Sequence, residues 1–258
     1  MVSIEGNIIL DFAVAAGELL LRNGAETYRV EDTVKRICYK EGFTVAEVFV
    51  FPTGLIVNGI FKDHQMTRMK QVQERDINLT VISLVNNLSR RFAAGQLTVA
   101  EALTELDKLK EPGSGFHNIS VLGAGALASA AATILLGGSW ADFFPALLAT
   151  FLVRLALGVT ILNLAYMLRI YLAGALAGLI GSGFVHAGFG EHIDKIIVGG
   201  VLPLVPGVAM TSAIRDFISG DLMSGTTRLA EAILVAVAIA GGVGVGLGLY
   251  LRYLKGVL

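Results

Sequence analysis

Residues 205–231 read VPGVAMTSAIRDFISGDLMSGTTRLAE, a stretch that joins two apolar runs and carries Arg215, Asp216, Asp221, Arg228 and Glu231. Guanidinium and carboxylate groups at this spacing could bind a charged solute or move a proton. Pro206–Gly207 precedes them, and Pro206 lacks an amide donor and collides with the preceding turn. Polar main chain freed by such a break inside a bilayer needs partners or a wet cavity. The ends of broken membrane helices hold ions and carboxylates; a plain kink beside the interface is the simpler alternative. Asp216 and Asp221 could equally cap helices. Glu231 lies about one turn inside the second run, where a carboxylate could exchange a proton or pair with Arg228, three positions earlier on the same face.

Arg154 stands inside FFPALLATFLVRLALGVTILNLAYM. It follows Asp142 by twelve residues, about 18 Å of straight helix, which is near mid-membrane. A charge there costs at least a few kcal/mol unless it faces protein or water. Its guanidinium could clamp a substrate carboxylate; a shifted helix boundary would instead let it snorkel. Asn163 falls nine positions on, roughly across the helix. His117, His186 and His192 lie near predicted span ends without metal-ligand spacing, so an interfacial position is expected and no metal or cofactor. The absence of a P-loop argues against direct ATP hydrolysis. With Cys38 the only cysteine, an internal disulfide and a Cys-rich metal site are excluded.

The elements that must position these residues follow from composition. At 54% hydrophobic and a mean hydropathy of +0.70, the chain is too apolar for an ordinary soluble domain. A net charge of −1 gives no nucleic-acid signal. Of the 41 charged residues, 28 lie in 1–117 and 13 in 118–258, which implies a soluble front and a membrane back. No basic segment precedes the first apolar stretch, and Asp11 and Glu18 interrupt it, so no cleavable signal peptide is expected and the front should stay in the cytosol.

The front reads as an α+β domain over 1–111. Apolar residues at helical spacing predict a helix over 7–22, stopped by Asn23–Gly24, and another over about 26–39 with Val30, Val34 and Ile37 on one face. TVAEVFVF and GLIVNGIF predict a hairpin around Pro52–Thr53–Gly54, with MTRMKQV as a third strand. Residues 76–95 form a third predicted helix, and Thr98 with Glu101 caps a fourth. The order is helix–helix–strands–helix–helix. EPGSG begins a linker over 112–117.

The back, 118–258, reads as an all-α membrane domain of about five spans: 118–138, 142–162, 166–188, 194–213 and 228–251, each near the roughly 20 residues a bilayer requires. Small residues recur at four-residue spacing: Ala124–Ala128–Ala132, Gly174–Gly178–Ser182, Gly242–Gly246 and Gly244–Gly248. Such stripes let helix backbones approach closely in lipid. Lys108, Lys110, Arg169, Arg215 and Arg228 fall on one side and Lys195, Arg252 and Lys255 on the other. This favours N-terminus in and C-terminus out. An odd number of spans suggests half of a device built from opposed repeats.

Gly24-Ala25-Glu26-Thr27-Tyr28-Arg29-Val30-Glu31, Pro52-Thr53, Pro206-Gly207, Arg215-Asp216, Gly220-Asp221 and Arg228 with Glu231-Ala232 together resemble the threonine/serine exporter family, from about residue 7 to 250. Full-length members pair a soluble domain with about ten membrane helices. A five-helix chain is similar to the split arrangement, in which a larger subunit works beside a small, wholly membrane partner. The resemblance implies a multi-pass cell-membrane protein, oligomeric, in a proton-motive-force-driven secondary exporter of threonine or serine. The alternatives are a dicarboxylate such as succinate, or a membrane-bound hydrolase or sensor acting through the front domain. No Ser-His-Asp or Cys-His set stands at a telling spacing for the hydrolase. Gly24, Glu26, Thr27, Arg29 and Glu31 crowd a helix start. A corner held by salt bridges explains them, and so would a gate or a substrate-sensing site.

Overall fold

The computed structural model describes residues 2–73, 76–110, 118–158 and 164–253. The expected linker, His117, Asn163 and Lys255 lie outside them. By internal contacts the chain forms two compact units, Met1–Gly115 with Val208–Ala230, and Phe116–Gly207 with Glu231–Leu258.

The first unit opens with α1 (Val2–Arg22) and α2 (Thr27–Lys40). Phe12, Ala16, Leu19 and Leu20 bury one face of α1. Gly24 ends it at φ +85°; Ala25 N–H donates to Leu20 O at 3.0 Å and Gly24 N–H to Leu21 O at 3.1 Å. This paired closure needs a left-handed residue, which glycine adopts without a Cβ clash. On α2, Val30, Val34 and Ile37 are fully buried. Burial contributes about 1.5–3 kcal/mol for each such side chain. The Glu31–Lys35 and Asp32–Arg36 surface pairs add only about 0.3–0.5 kcal/mol each, so the core decides this helix.

Strands β1 (Phe43–Phe51), β2 (Gly54–Phe61) and β3 (His64–Gln71) form one antiparallel sheet in that order. Phe51 faces Gly54 and Phe61 faces His64. Lys62 and Asp63 both have positive φ, as a two-residue hairpin turn of mirror-image type requires. That turn lets β3 start two residues earlier than the MTRMKQV pattern suggests. Helices α3 (Leu79–Ala93) and α4 (Val99–Lys110) complete the core. Asn78 caps α3 by accepting from Val81 N–H at 3.1 Å. Thr98 and Glu101 cap α4 reciprocally, through Thr98 N–H to Glu101 Oε2 at 2.8 Å and Glu101 N–H to Thr98 Oγ1 at 3.3 Å, as the sequence predicts.

The second unit contains α5 (Asn118–Leu135), α6 (Trp140–Gly158), α7 (Tyr166–His186) and α8 (Ile193–Val201), followed by a tight turn over Leu202–Leu204. The chain then continues as α9 (Gly207–Ile218) and α10 (Leu222–Tyr253). By length and composition, three described helices can cross a membrane: Trp140–Leu157, Tyr166–His186 and Leu222–Tyr253. A fourth exists if Ile193–Leu204 and Gly207–Ile218 count as one broken span, and the apolar helix Ile119–Leu135 is shorter.

Glycine sets the packing of α7 on α10. A Cβ on Gly242 would lie 2.0 Å from Tyr171 O, and one on Gly246 2.1 Å from Ala175 O. Gly174 and Gly178 answer from α7, 2.7 Å from Ile239 O and 2.8 Å from Val243 O. Gly244 and Gly248 meet nothing within 4 Å, so of the two overlapping glycine stripes only 242–246 packs. Ala124 and Ala128 are exposed, and α5 instead buries Ala126, Ser129, Ala130 and Thr133. α8 is buried along most of its length: Thr150 Oγ1 donates to Gly199 O at 3.1 Å, and a Cβ on Gly199 would strike Thr133 Oγ1.

Candidate functional site

Helix α2 begins without a local side-chain cap. Glu26 occupies the N-cap in extended geometry and makes no capping bond. The first amide is satisfied from far along the chain, where Thr27 N–H donates to Asp216 Oδ1 at 3.3 Å across 189 positions. Asp216, on α9, is fully buried. Both it and Glu26 bring negative charge to the positive end of α2.

Guanidiniums answer these carboxylates. Arg29 Nε donates to Glu26 Oε2 at 2.9 Å, and Arg215 Nη1 to Glu26 Oε1 at 2.5 Å. Arg228, from the first turns of α10, donates through Nη2 to Ala25 O at 2.8 Å. Its Nε lies 3.0 Å from Asp216 Oδ2, close enough for an ion pair but not aligned as a hydrogen bond. Burial works against ionisation of Glu26. Its own backbone N–H and the Arg215 and Arg29 guanidiniums outweigh that and hold the carboxyl below its usual value.

The charged stretch over 214–227 is helical except at Ser219–Asp221, and Asp221 takes the capping role that the sequence leaves open. Gly220, at φ +86°, closes α9: its N–H donates to Phe217 O at 3.1 Å and Asp221 N–H to Asp216 O at 2.9 Å. Asp221 then caps α10 by accepting from Ser224 N–H at 3.0 Å. The Gly220–Asp221 pair is thus a stop followed by a start, and only Ser219–Asp221 remains between the helices.

The structure brings together Glu26, Thr27, Arg29, Arg215, Asp216 and Arg228, all within the first unit. Gly24 turns the chain into this corner, and Glu31 faces away toward Lys35. Arg228 goes to Asp216 and Ala25. Arg154, half-buried on α6, and Glu231, half-buried on α10, belong with Pro206 and Gly207 to the second unit. The chain leaves helix at Val205, with ψ 126°, and resumes it at Gly207.

Two features escape sequence reasoning. Asp142 is fully buried and accepts from Ser139 N–H at 2.7 Å, Glu191 N–H at 2.7 Å and His192 N–H at 3.0 Å, with His192 Nδ1 at 2.8 Å. It locks two turns together, so His192 has a specific acidic partner in addition to its place near a span end. The other is a cleft of about 590 Å³ in the first unit, lined by Glu26, Arg29, Asn86, Asn87, Arg90 and Arg215 among others. Ser83, Asn86, Asn87 and Arg90 recur at helical spacing on α3, a signal readable in the sequence but identical to that of a solvated face. Among the described residues no cluster of His, Cys, Asp and Glu could hold a metal ion.

One unit with an α+β core and a second of apolar helices packed backbone to backbone through glycine define a helical membrane protein with an accessory domain. The chain belongs to the ThrE family, whose model, described as "Putative threonine/serine exporter", matches residues 11–250. It is 22% identical over 233 residues to a "Probable threonine/serine exporter" of Mycobacterium tuberculosis (strain ATCC 25618 / H37Rv), covering 88% of this chain and 43% of that protein. It is 24% identical over 235 residues to a "Threonine/serine exporter" of Corynebacterium glutamicum, covering 88% and 48%. The chain therefore spans less than half the length of these curated relatives. No solved structure matches it.

Proposed function

We propose that this chain is one component of a proton-driven secondary exporter for small carboxylate-bearing metabolites, threonine or serine first and a dicarboxylate such as succinate second. It acts with a small membrane partner. The observation that carries this reading is the break at Val205–Pro206: α8 is a short helix buried in the second unit, and its run is interrupted before α9. A half-helix end inside a bilayer leaves carbonyls to coordinate solute or water. The printed names of the relatives support threonine or serine as the substrate.

Five spans carry the route, with α5 as the first and α8–α9 as the broken fourth. The front domain, 1–111, lies in the cytosol and the C-terminus outside. Arg154 draws the substrate carboxylate to the route. Glu231, or an aspartate of the 205–231 stretch, exchanges the proton. No hydrolytic step is assigned to the front domain.

Proteoliposomes holding the chain and its partner, under an imposed proton gradient, test this reading. Threonine or serine flux is expected, and it should collapse in Arg154→Ala and in Glu231→Gln. Succinate flux without threonine flux would assign the dicarboxylate. Undiminished transport by both variants would remove the two residues from the mechanism.

A further inference from the structure

The cleft in the first unit has an unbalanced charge. Arg29, Arg90 and Arg215 line it, and Glu26 is the one acid among its described lining residues. Three cations against one anion leave two positive charges facing a concave space. Glu26 already has both oxygens committed, Oε1 to Arg215 and Oε2 to Arg29. Among the described residues the Arg90 guanidinium has no hydrogen-bonded or ionic partner, and neither has the Asn87 amide.

Helix α3 presents a whole face to this space. Val81, Val85, Leu88 and Phe92 turn into the core, while Ser83, Asn86, Asn87 and Arg90 line the cleft. The Asn86 oxygen accepts from Thr33 Oγ1 at 3.4 Å, which leaves its amide nitrogen to donate. The lining thus offers the Arg90 guanidinium and neutral amide donors, with Glu26 as its one anion among the described lining residues. Its volume, about 590 Å³, falls within the roughly 300–1,000 Å³ typical of small-molecule sites.

The geometry points to a binding site in the first unit for a small doubly charged oxyanion, a dicarboxylate or a phosphate. Planar guanidiniums bind either group through paired charge-assisted hydrogen bonds. A zwitterionic amino acid brings no net charge, and its ammonium would find Glu26 already paired. The ligand competes with Glu26 for Arg29 and Arg215. The proposal goes beyond transport and stands whether or not the chain exports anything.

Titration calorimetry on the full chain in detergent at pH 7.5 and constant low ionic strength tests it, with malonate, inorganic phosphate and threonine as separate probes. Saturable binding of malonate or phosphate, tighter than that of threonine, is expected, and the better probe identifies the ligand's acidic group. Arg90→Gln should weaken binding about tenfold, the loss of one charge-assisted hydrogen-bonding group. Glu26→Gln should tighten it, because two guanidiniums lose their internal partner. Arg91→Gln makes the same charge change on a residue that faces Glu105 instead and should leave affinity unchanged. No saturable binding, threonine binding as well as the dianions, or equal weakening by Arg91→Gln and Arg90→Gln would each overturn the proposal.

Discussion

Removing Asp216 tests whether the α2–α9–α10 corner is held as a coupled charge network. Asp216→Ala deletes a fully buried carboxylate and leaves Arg228, 9% exposed, with the Ala25 carbonyl alone. It also strips the first amide of α2 of its acceptor. Removing one partner of a buried pair costs about 3–5 kcal/mol, because the other charge stays buried and uncompensated. For a chain of this size about 3 kcal/mol lowers a thermal midpoint by about 6–12 °C. Cys38 is the single thiol and lies fully buried in the same unit, so the temperature at which it becomes open to a maleimide reports that unit's opening. Arg228→Ala alone should cost a similar amount. The double variant should recover more than half of the combined loss, since neither charge is then left alone. Strictly additive losses would refute the argument, because two independent contacts, not a pair, would then hold the corner.

Three further outcomes follow from the same structure. Glu26 is held below its usual value of 4.5. Its contribution should therefore be complete above that pH and fade as pH falls through the lower folded value; Glu26→Gln should flatten this part of an acid denaturation profile. Burial pushes the Cys38 thiol up to about 12 from 9.0. The native chain should accordingly resist alkylation at pH 8, and the stability that rests on the neutral thiol should decline only as pH rises past 9.0. Gly242→Ala would place a methyl 2.0 Å from Tyr171 O, whereas Gly244→Ala meets nothing within 4 Å. The first should abolish a monodisperse peak on size-exclusion chromatography and the second preserve it; equal behaviour would show that α7 does not pack on α10 through this stripe.

Local patterning was a reliable guide wherever one residue's neighbours in sequence decide its fate. The hairpin of β1 and β2, the Thr98–Glu101 cap and the buried face of α2 all follow from spacing and residue type, because each is closed by atoms a few positions away. The stop at Gly24 is legible for the same reason. In the α9–α10 connection, Gly220–Asp221 is legible as a helix cap and equally as part of a charged binding stretch. Read as a left-handed stop and an N-cap, the same two residues shorten that connection to Ser219–Asp221. The two glycine stripes of α10 are indistinguishable by spacing, and only the position of α7 selects Gly242–Gly246.

From the sequence alone come the apolar back half, the α+β front, the family and the residue types of the charged corner, since composition and short-range periodicity are properties of the chain itself. Which guanidinium meets which carboxylate is not. Arg228 lies three residues from Glu231 yet pairs with Asp216, and Asp216 caps a helix that starts 189 positions earlier. Burial makes that choice: an ionised group removed from water must take the partner the tertiary fold delivers, and sequence proximity carries no weight against that cost.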